Sequence, residues 1–274
     1  DMALLNGEPV FAVFDSFYED LVLIDGFGTN NERHIYLDGF EQRDGPSLNR
    51  GGYFDPGPRT GIYPQIVSDR QARLHIVYYD MDNQDLMYLR QEANGQWITP
   101  VVIDSDSDSG RHVKLKVDSN GRPHVVYTFI DSNRARSGVR YARGAADATT
   151  SNHFQSTEVA EQVNREEATP LNLPPNYFGA RPCFSLSGER ILAAFQDAQN
   201  QHLYLAIGDI TGFEFSRISG QLSADVSRQD SRYENFEVHQ IGSDCSLQSA
   251  QGLIDLLFTN ETTGALMHYR AQIN

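Results

Sequence analysis

The chain predicts an all-β fold, a β-propeller of about five four-stranded blades, and three features carry that prediction. A polar turn followed by a strand recurs, in its clearest form as Asp118-Ser-Asn-Gly-Arg-Pro-His124-Val-Val-Tyr127. Counterparts stand at Asn6-Gly7 before Val10 to Phe14, at Arg70 before His75 to Asp80, at Gly188 before Ile191 to Phe195, and at Gly252 before Leu253 to Phe258. Three of these lead into a second polar turn and a short Leu-rich strand: Asp80-Met-Asp-Asn-Gln-Asp-Leu86-Met-Tyr88, Asp197-Ala-Gln-Asn-Gln-His-Leu203-Tyr204 and Asn260-Glu-Thr-Thr-Gly-Ala-Leu266-Met-His-Tyr269. The third feature is period-two alternation, as in Val113, Leu115 and Val117 against His112, Lys114 and Lys116. A strand-and-turn unit that recurs every roughly fifty to sixty-five residues cannot bury its own faces and must pack on its neighbours.

Taken in order, the units cover about 1–43, 61–104, 111–163, 177–222 and 236–274, all in one domain. The first has strands near Val10 to Phe14, Leu21 to Asp25 and His34 to Leu37, with Asp1 midway along the place of a first strand. The second has its outer strand at Gln96 to Ile103, and the fourth ends on Phe213 to Ile218. The fifth stops after its third strand. Three closures fit such ends: a ring with an imperfect last blade, a strand supplied by residues once ahead of Asp1, or membership of a larger ring. Thr157 to Arg165 is the one stretch with any helical character.

Composition narrows the function. The 274 residues are 39% hydrophobic, enough for a substantial core, and the formal charge is -15. A surface that acidic disfavours nucleic acid and anionic lipid as partners. No run of eighteen apolar residues spans a membrane, and no charged-then-apolar leader opens the chain. Of the two cysteines, Cys183 and Cys245 fall at matching places on the first strands of adjacent units. They are either a bridge, implying an oxidising compartment, or two buried thiols.

Long connections point to a face. Glu41 to Gly61, Gly144 to Gly179 and Gly220 to Asn235 each lead into a first strand, so their downstream ends gather at one end of the propeller. Tyr53, Arg59, Tyr63, His112, Tyr177, Arg181 and His239 are the candidate ligand-binding residues of that face: tyrosines stack on sugar rings, Arg forks carboxylates, and His donates, accepts or acts as a base. Lys114, Lys116 and Arg181 share a strand face and suit an anionic ligand, or else pair with Glu237 and Asp244. Tyr53 and Tyr177 lie in the long loops, whereas Trp97 reads as a blade-edge residue. His75 and His124 sit where other units carry Val10, Ile191 and Leu253, and read as structural.

Asp104-Ser-Asp106-Ser-Asp108-Ser-Gly110 alternates carboxylates as a calcium loop does. Its glycine falls one place late and no bidentate Glu follows, so a solvated acidic loop is the alternative. Calcium on Asp104, Asp106 and Asp108 is the one cofactor the pattern suggests. Asn260-Glu-Thr262 forms a glycosylation sequon.

The Asp-x-x-Gly-x-Pro-His-x-x-Tyr turn and strand, followed by Asp-x-x-Asn-x-x-Leu-x-Tyr, resembles the repeats of sialidase-like (BNR-type) β-propellers, among them secreted lectins and polysaccharide-acting proteins. The resemblance covers most of the chain and implies architecture more than activity. The Ser-x-Asp-x-Gly-x-x-Trp box of true sialidases is missing. Five-bladed glycosidases place Asp, Asp and Glu on inner strands where this chain has Ile66, Lys116 and Cys183, which disfavours two-carboxylate hydrolysis. The expectation is therefore a secreted, periplasmic or cell-surface carbohydrate-binding propeller, leaning away from catalysis. A uronate polysaccharide lyase or glycoside hydrolase, and a protein-interaction scaffold, are the alternatives.

Overall fold

Residues 1–39, 58–163, 177–198, 202–218, 241–260 and 265–272 are described by the computed structural model, 241–244 by their backbone alone. They form an all-β propeller of five sheets, each a meander in which consecutive strands pair. The first sheet runs β1 (Met2–Leu5), β2 (Glu8–Asp15), β3 (Asp20–Asp25) and β4 (Arg33–Asp38). The second is β5 (Ile62–Ser68), β6 (Leu74–Asp80), β7 (Asp85–Arg90) and β8 (Val101–Asp104). The third comprises β9 (Asp108–Val117), β10 (Pro123–Asp131), β11 (Arg136–Gly144) and β12 (Phe154–Val163), with a 3-10 turn at Ser151–His153. The fourth holds β13 (Phe178–Ser187), β14 (Arg190–Asp197), β15 (His202–Asp209) and β16 (Gly212–Arg217). The fifth has three strands among the described residues, β17 (Ile241–Ala250), β18 (Leu253–Asn260) and β19 (Ala265–Gln272).

Two sequence expectations change. Thr157 to Val163 is strand, not helix, because β12 completes the third sheet beside β11. The outer strand of the second sheet begins at Val101 rather than Gln96; Trp97 makes only an isolated bridge to Gln91 and packs half-buried on the core.

The recurring aspartates make the turns. Asp69 Oδ1 accepts the N–H groups of Gln71 and Arg73, and Asp118 Oδ1 those of Asn120 and Arg122, at 2.8 to 2.9 Å. At the opposite strand ends Asp15, Asp80 and Asp131 accept turn N–H groups in the same way. A carboxylate that satisfies two backbone donors closes a hairpin locally, which is why the motif is readable without the rest of the fold.

Every residue of β6 is buried, so that sheet is covered on both faces, as a sheet packed between two others must be. Contacts group the chain into two compact units, Asp1–Val125 with Arg143–Gln155, and Val126–Ala142 with Ser156–Asn274. In the first, Val10, Ala12, Leu21 and Leu23 meet Ile66, Leu74, Ile76 and Tyr78. In the second, Leu192, Ala194, Leu203 and Leu205 meet Leu247, Ile254, Leu256 and Phe258. Burying a side chain of this size stabilises by about 1.5–3 kcal/mol, so these seams hold the sheets together.

Candidate functional site

A glycine opens the first strand of three sheets and permits a close approach. At Gly61 (φ 92°) a Cβ would lie 2.6 Å from the Cα of Leu21 in β3, a contact no side chain survives. Gly179 stands in the same way against Gly138 of β11, at 2.5 Å, and Gly110 less closely against Leu86 of β7, at 3.1 Å. Two residues after each glycine the backbone turns left-handed again, at Tyr63 (φ 53°), His112 (φ 50°) and Arg181 (φ 48°). At Tyr63 and Arg181 the pairing register slips, between Ile62 and Gln65 and between Ala180 and Cys183, so the side chain sits on a bulge.

In the first unit, β5 and β9 bring two of these residues together. The rings of Tyr63 and His112 lie with centroids 5.0 Å apart and planes 33° from parallel. Tyr63 is 39% exposed and His112 half-buried, so the pair is open to solvent. Beneath it is Tyr79, its ring centroid 6.4 Å from that of Tyr63. The Tyr79 hydroxyl donates to Asp108 Oδ1 at 2.8 Å, and burial with the Asp108 charge pushes its phenol well above the ordinary tyrosine range. Arg111 clasps the same carboxylate through Nε and Nη2 at 2.8 to 2.9 Å, its guanidinium 5.3 Å from the Tyr79 ring. Arg59 is clasped likewise: its backbone N–H and Nε reach the two oxygens of Asp82 at 2.9 and 2.8 Å. The Arg59 N–H and guanidinium hold the Asp82 carboxyl below its usual range.

This geometry assigns chemistry by elimination. Asp108 is saturated by a phenol and a guanidinium and cannot serve as a base, and Asp82 is held by Arg59. Tyr63 and His112 are the groups of the cluster that present rings at the surface, suited to stacking on a sugar face and to exchanging a hydrogen bond or a proton.

The calcium expectation finds no cluster behind it. Asp104 Oδ1 accepts the Asp106 N–H at 2.8 Å, and Asp108 turns instead to Arg111 and Tyr79. Among the described residues no group of three His, Cys, Asp or Glu is arranged to hold a metal ion. The sequon is equally constrained, since Asn260 is fully buried.

In the second unit, Arg181 is the one half-buried residue of Phe178 to Cys183, the others being buried. Its backbone is fixed on both sides. The Thr128 hydroxyl donates to the Gly179 carbonyl at 2.6 Å, Phe178 N–H donates to the Ser137 hydroxyl at 3.1 Å, and Cys183 is bonded to Cys245 with Cα atoms 5.7 Å apart. Tyr177 precedes β13, and its carbonyl accepts the Ala198 N–H.

Of the seven candidate residues, the structure brings Tyr63 and His112 into contact, locks Arg59 onto Asp82, and places Tyr177 and Arg181 at the start of β13. Tyr53 and His239 lie outside the described residues, as does the whole Gly220 to Asn235 connection. Sequence reasoning missed Tyr79, Asp82 and Arg111. The signal that could have found the joint is a glycine two places before a bulky polar residue at a strand start.

No family model and no curated protein matches the chain. Among solved structures it is similar to the polysaccharide lyase Uly1, at 10% identity over 99% of this chain and 57% of that one, TM-score 0.48. It is similar also to a GH93 α-L-arabinofuranosidase of Fusarium graminearum, at 12% identity over 77% and 58% of the two chains, TM-score 0.48. An endo-arabinase from Bacteroides thetaiotaomicron aligns at 12% identity over 100% and 98%, TM-score 0.43. The chain spans a little over half the length of the first two. All three act on carbohydrate by their names, and none is named a sialidase. At these identities and scores the likeness carries no argument about what this protein does.

Proposed function

We propose that the protein is a carbohydrate-directed propeller that binds polysaccharide through the Tyr63 and His112 ring pair. One observation supports it above the others: two rings from different sheets, each on left-handed backbone, meet at the surface beside a phenol and a guanidinium. Flat apolar faces edged by hydrogen-bonding groups match the faces and hydroxyls of a pyranose or furanose ring. The Cys183 to Cys245 bond supports a secreted, periplasmic or cell-surface setting.

A second reading, a polysaccharide lyase, is favoured by the same pair, because imidazole and phenol are the two groups such a step needs. One removes the proton next to a uronate carboxylate, the C–O bond to the leaving sugar breaks as the double bond forms, and the other protonates the departing oxygen.

A glycan array followed by incubation with uronate polymers separates the readings. Binding without new ultraviolet absorbance supports the binding protein, and unsaturated product supports the lyase. Silence in both overturns the carbohydrate assignment and leaves a protein-interaction scaffold.

A further inference from the structure

Every non-glycine residue with left-handed backbone, apart from three, lies in a turn or bend among the described residues: Asn6, Glu19, Ala72, Gln84, Ser107, Ala135 and Gln251. There the conformation serves a turn, which closes a hairpin at each of them except Ser107, in the connection from β8 to β9. Tyr63, His112 and Arg181 adopt it inside strands, at one repeated place, two residues after a joint glycine. Glycine would take this conformation without strain, as its neighbours Gly61, Gly110 and Gly179 do. Neither Tyr nor Arg has the short side chain that bonds its own backbone and eases Asn or Asp into the region. Such backbone outliers persist where the surroundings hold them and the side chain is needed, and here one recurs at one place in three sheets under three unlike side chains.

We infer that this left-handed position is the ligand-contacting place of each sheet that carries it, and that Arg181 there selects an acidic sugar over a neutral one. The inference rests on the carbohydrate assignment above and deepens it. Arg181 is the partly exposed member of an otherwise buried run, on backbone pinned by Thr128, Ser137 and the Cys183 to Cys245 bond. A guanidinium carried on fixed backbone forks a carboxylate through two parallel hydrogen bonds, which a sugar hydroxyl cannot match.

The test is calorimetric titration of the whole chain with polygalacturonate and with its methyl ester, alongside thermal unfolding. The wild type is expected to prefer the acid polymer. Arg181→Gly relieves the backbone and removes the fork, so Tm should rise by roughly 2–4 °C while affinity for polygalacturonate falls about tenfold or more and affinity for the ester holds. Arg181→Gln, which keeps the side-chain bulk, should lose the same preference with Tm unchanged. A wild type that binds both polymers equally, or a preference that survives both substitutions, overturns the inference and leaves the carbohydrate assignment standing. A wild type that binds neither of these polymers nor any glycan on the array overturns both.

Discussion

The Nε2 of His75 lies 3.2 Å from Oδ2 of Asp69, and both side chains are sealed from water. Tyr88 closes the other side of the ring, its hydroxyl 2.8 Å from Nδ1. A histidine at this repeat position therefore works as a structural strut between the turn and the third strand.

That strut makes stability depend on pH. Burial pushes His75 down to about 4, a drop that the Asp69 carboxylate only partly offsets. The unfolded chain takes up the proton near pH 6.5 and the folded one only near 4, so stability is full above 6.5 and falls as pH drops between them, by about 3 kcal/mol at most. Asp118 adds a lower step: burial raises it, the N–H and guanidinium of Arg122 more than offset that, and it settles at about 2. Its contribution is present above 3.8 and lost toward 2. Urea midpoints across pH 3 to 8 should show the upper step, and His75→Gln should flatten it. A wild-type curve level from 7 to 4 would contradict the buried neutral imidazole.

Gly179→Ala should be among the most damaging single substitutions. The added Cβ would lie 2.5 Å from the carbonyl carbon of Gly138, on backbone with φ 88°. Overpacking and left-handed strain together should cost about 2–4 kcal/mol. Gly188→Ala has the same strain with nothing within 4 Å, and should cost only about 1 kcal/mol. Equal losses in the two would show that close approach to β11 is not what the glycine serves.

How far these features could be read in advance follows from their range. The Asp69 and Asp118 turns are satisfied within five residues, so their motif announced strand starts and the repeat. Cys183 and Cys245 were legible as a pair only because the repeat aligned them. The use of Asp108 was not legible, since its partner Tyr79 comes from another sheet and alternating carboxylates look the same whether they wait for a cation or already hold one. Nor was the conformation of Tyr63, His112 and Arg181, because Tyr and Arg carry no propensity for it. Only the preceding glycine hinted at a joint.

The Cys183 to Cys245 bond closes a loop of 62 residues between two first strands. Cross-linking at that separation removes chain entropy from the unfolded state, typically about 2–4 kcal/mol. Cys183→Ser with Cys245→Ser should lower the urea midpoint accordingly, and a reducing agent should do the same to the wild type and nothing to the double variant. Insensitivity of the wild type to reductant would show that the bridge does not form in solution.

The Tyr63 ring should act through its face rather than its hydroxyl. Its ring centroid lies 5.0 Å from that of His112 and 6.4 Å from that of Tyr79, so neighbouring rings set its plane while 39% of the residue stays exposed. Tyr63→Phe keeps that plane and should hold polysaccharide affinity within about threefold. Tyr63→Leu removes the π face while keeping apolar bulk and should lose about tenfold, the scale of one ring contact of 0.5–1.5 kcal/mol. If instead the lyase reading holds and the Tyr63 hydroxyl moves a proton, Tyr63→Phe should abolish turnover with binding intact. Affinity measured beside product formation in the two variants therefore tells stacking from proton transfer at one residue, and two variants that both match the wild type in both assays would remove Tyr63 from the site.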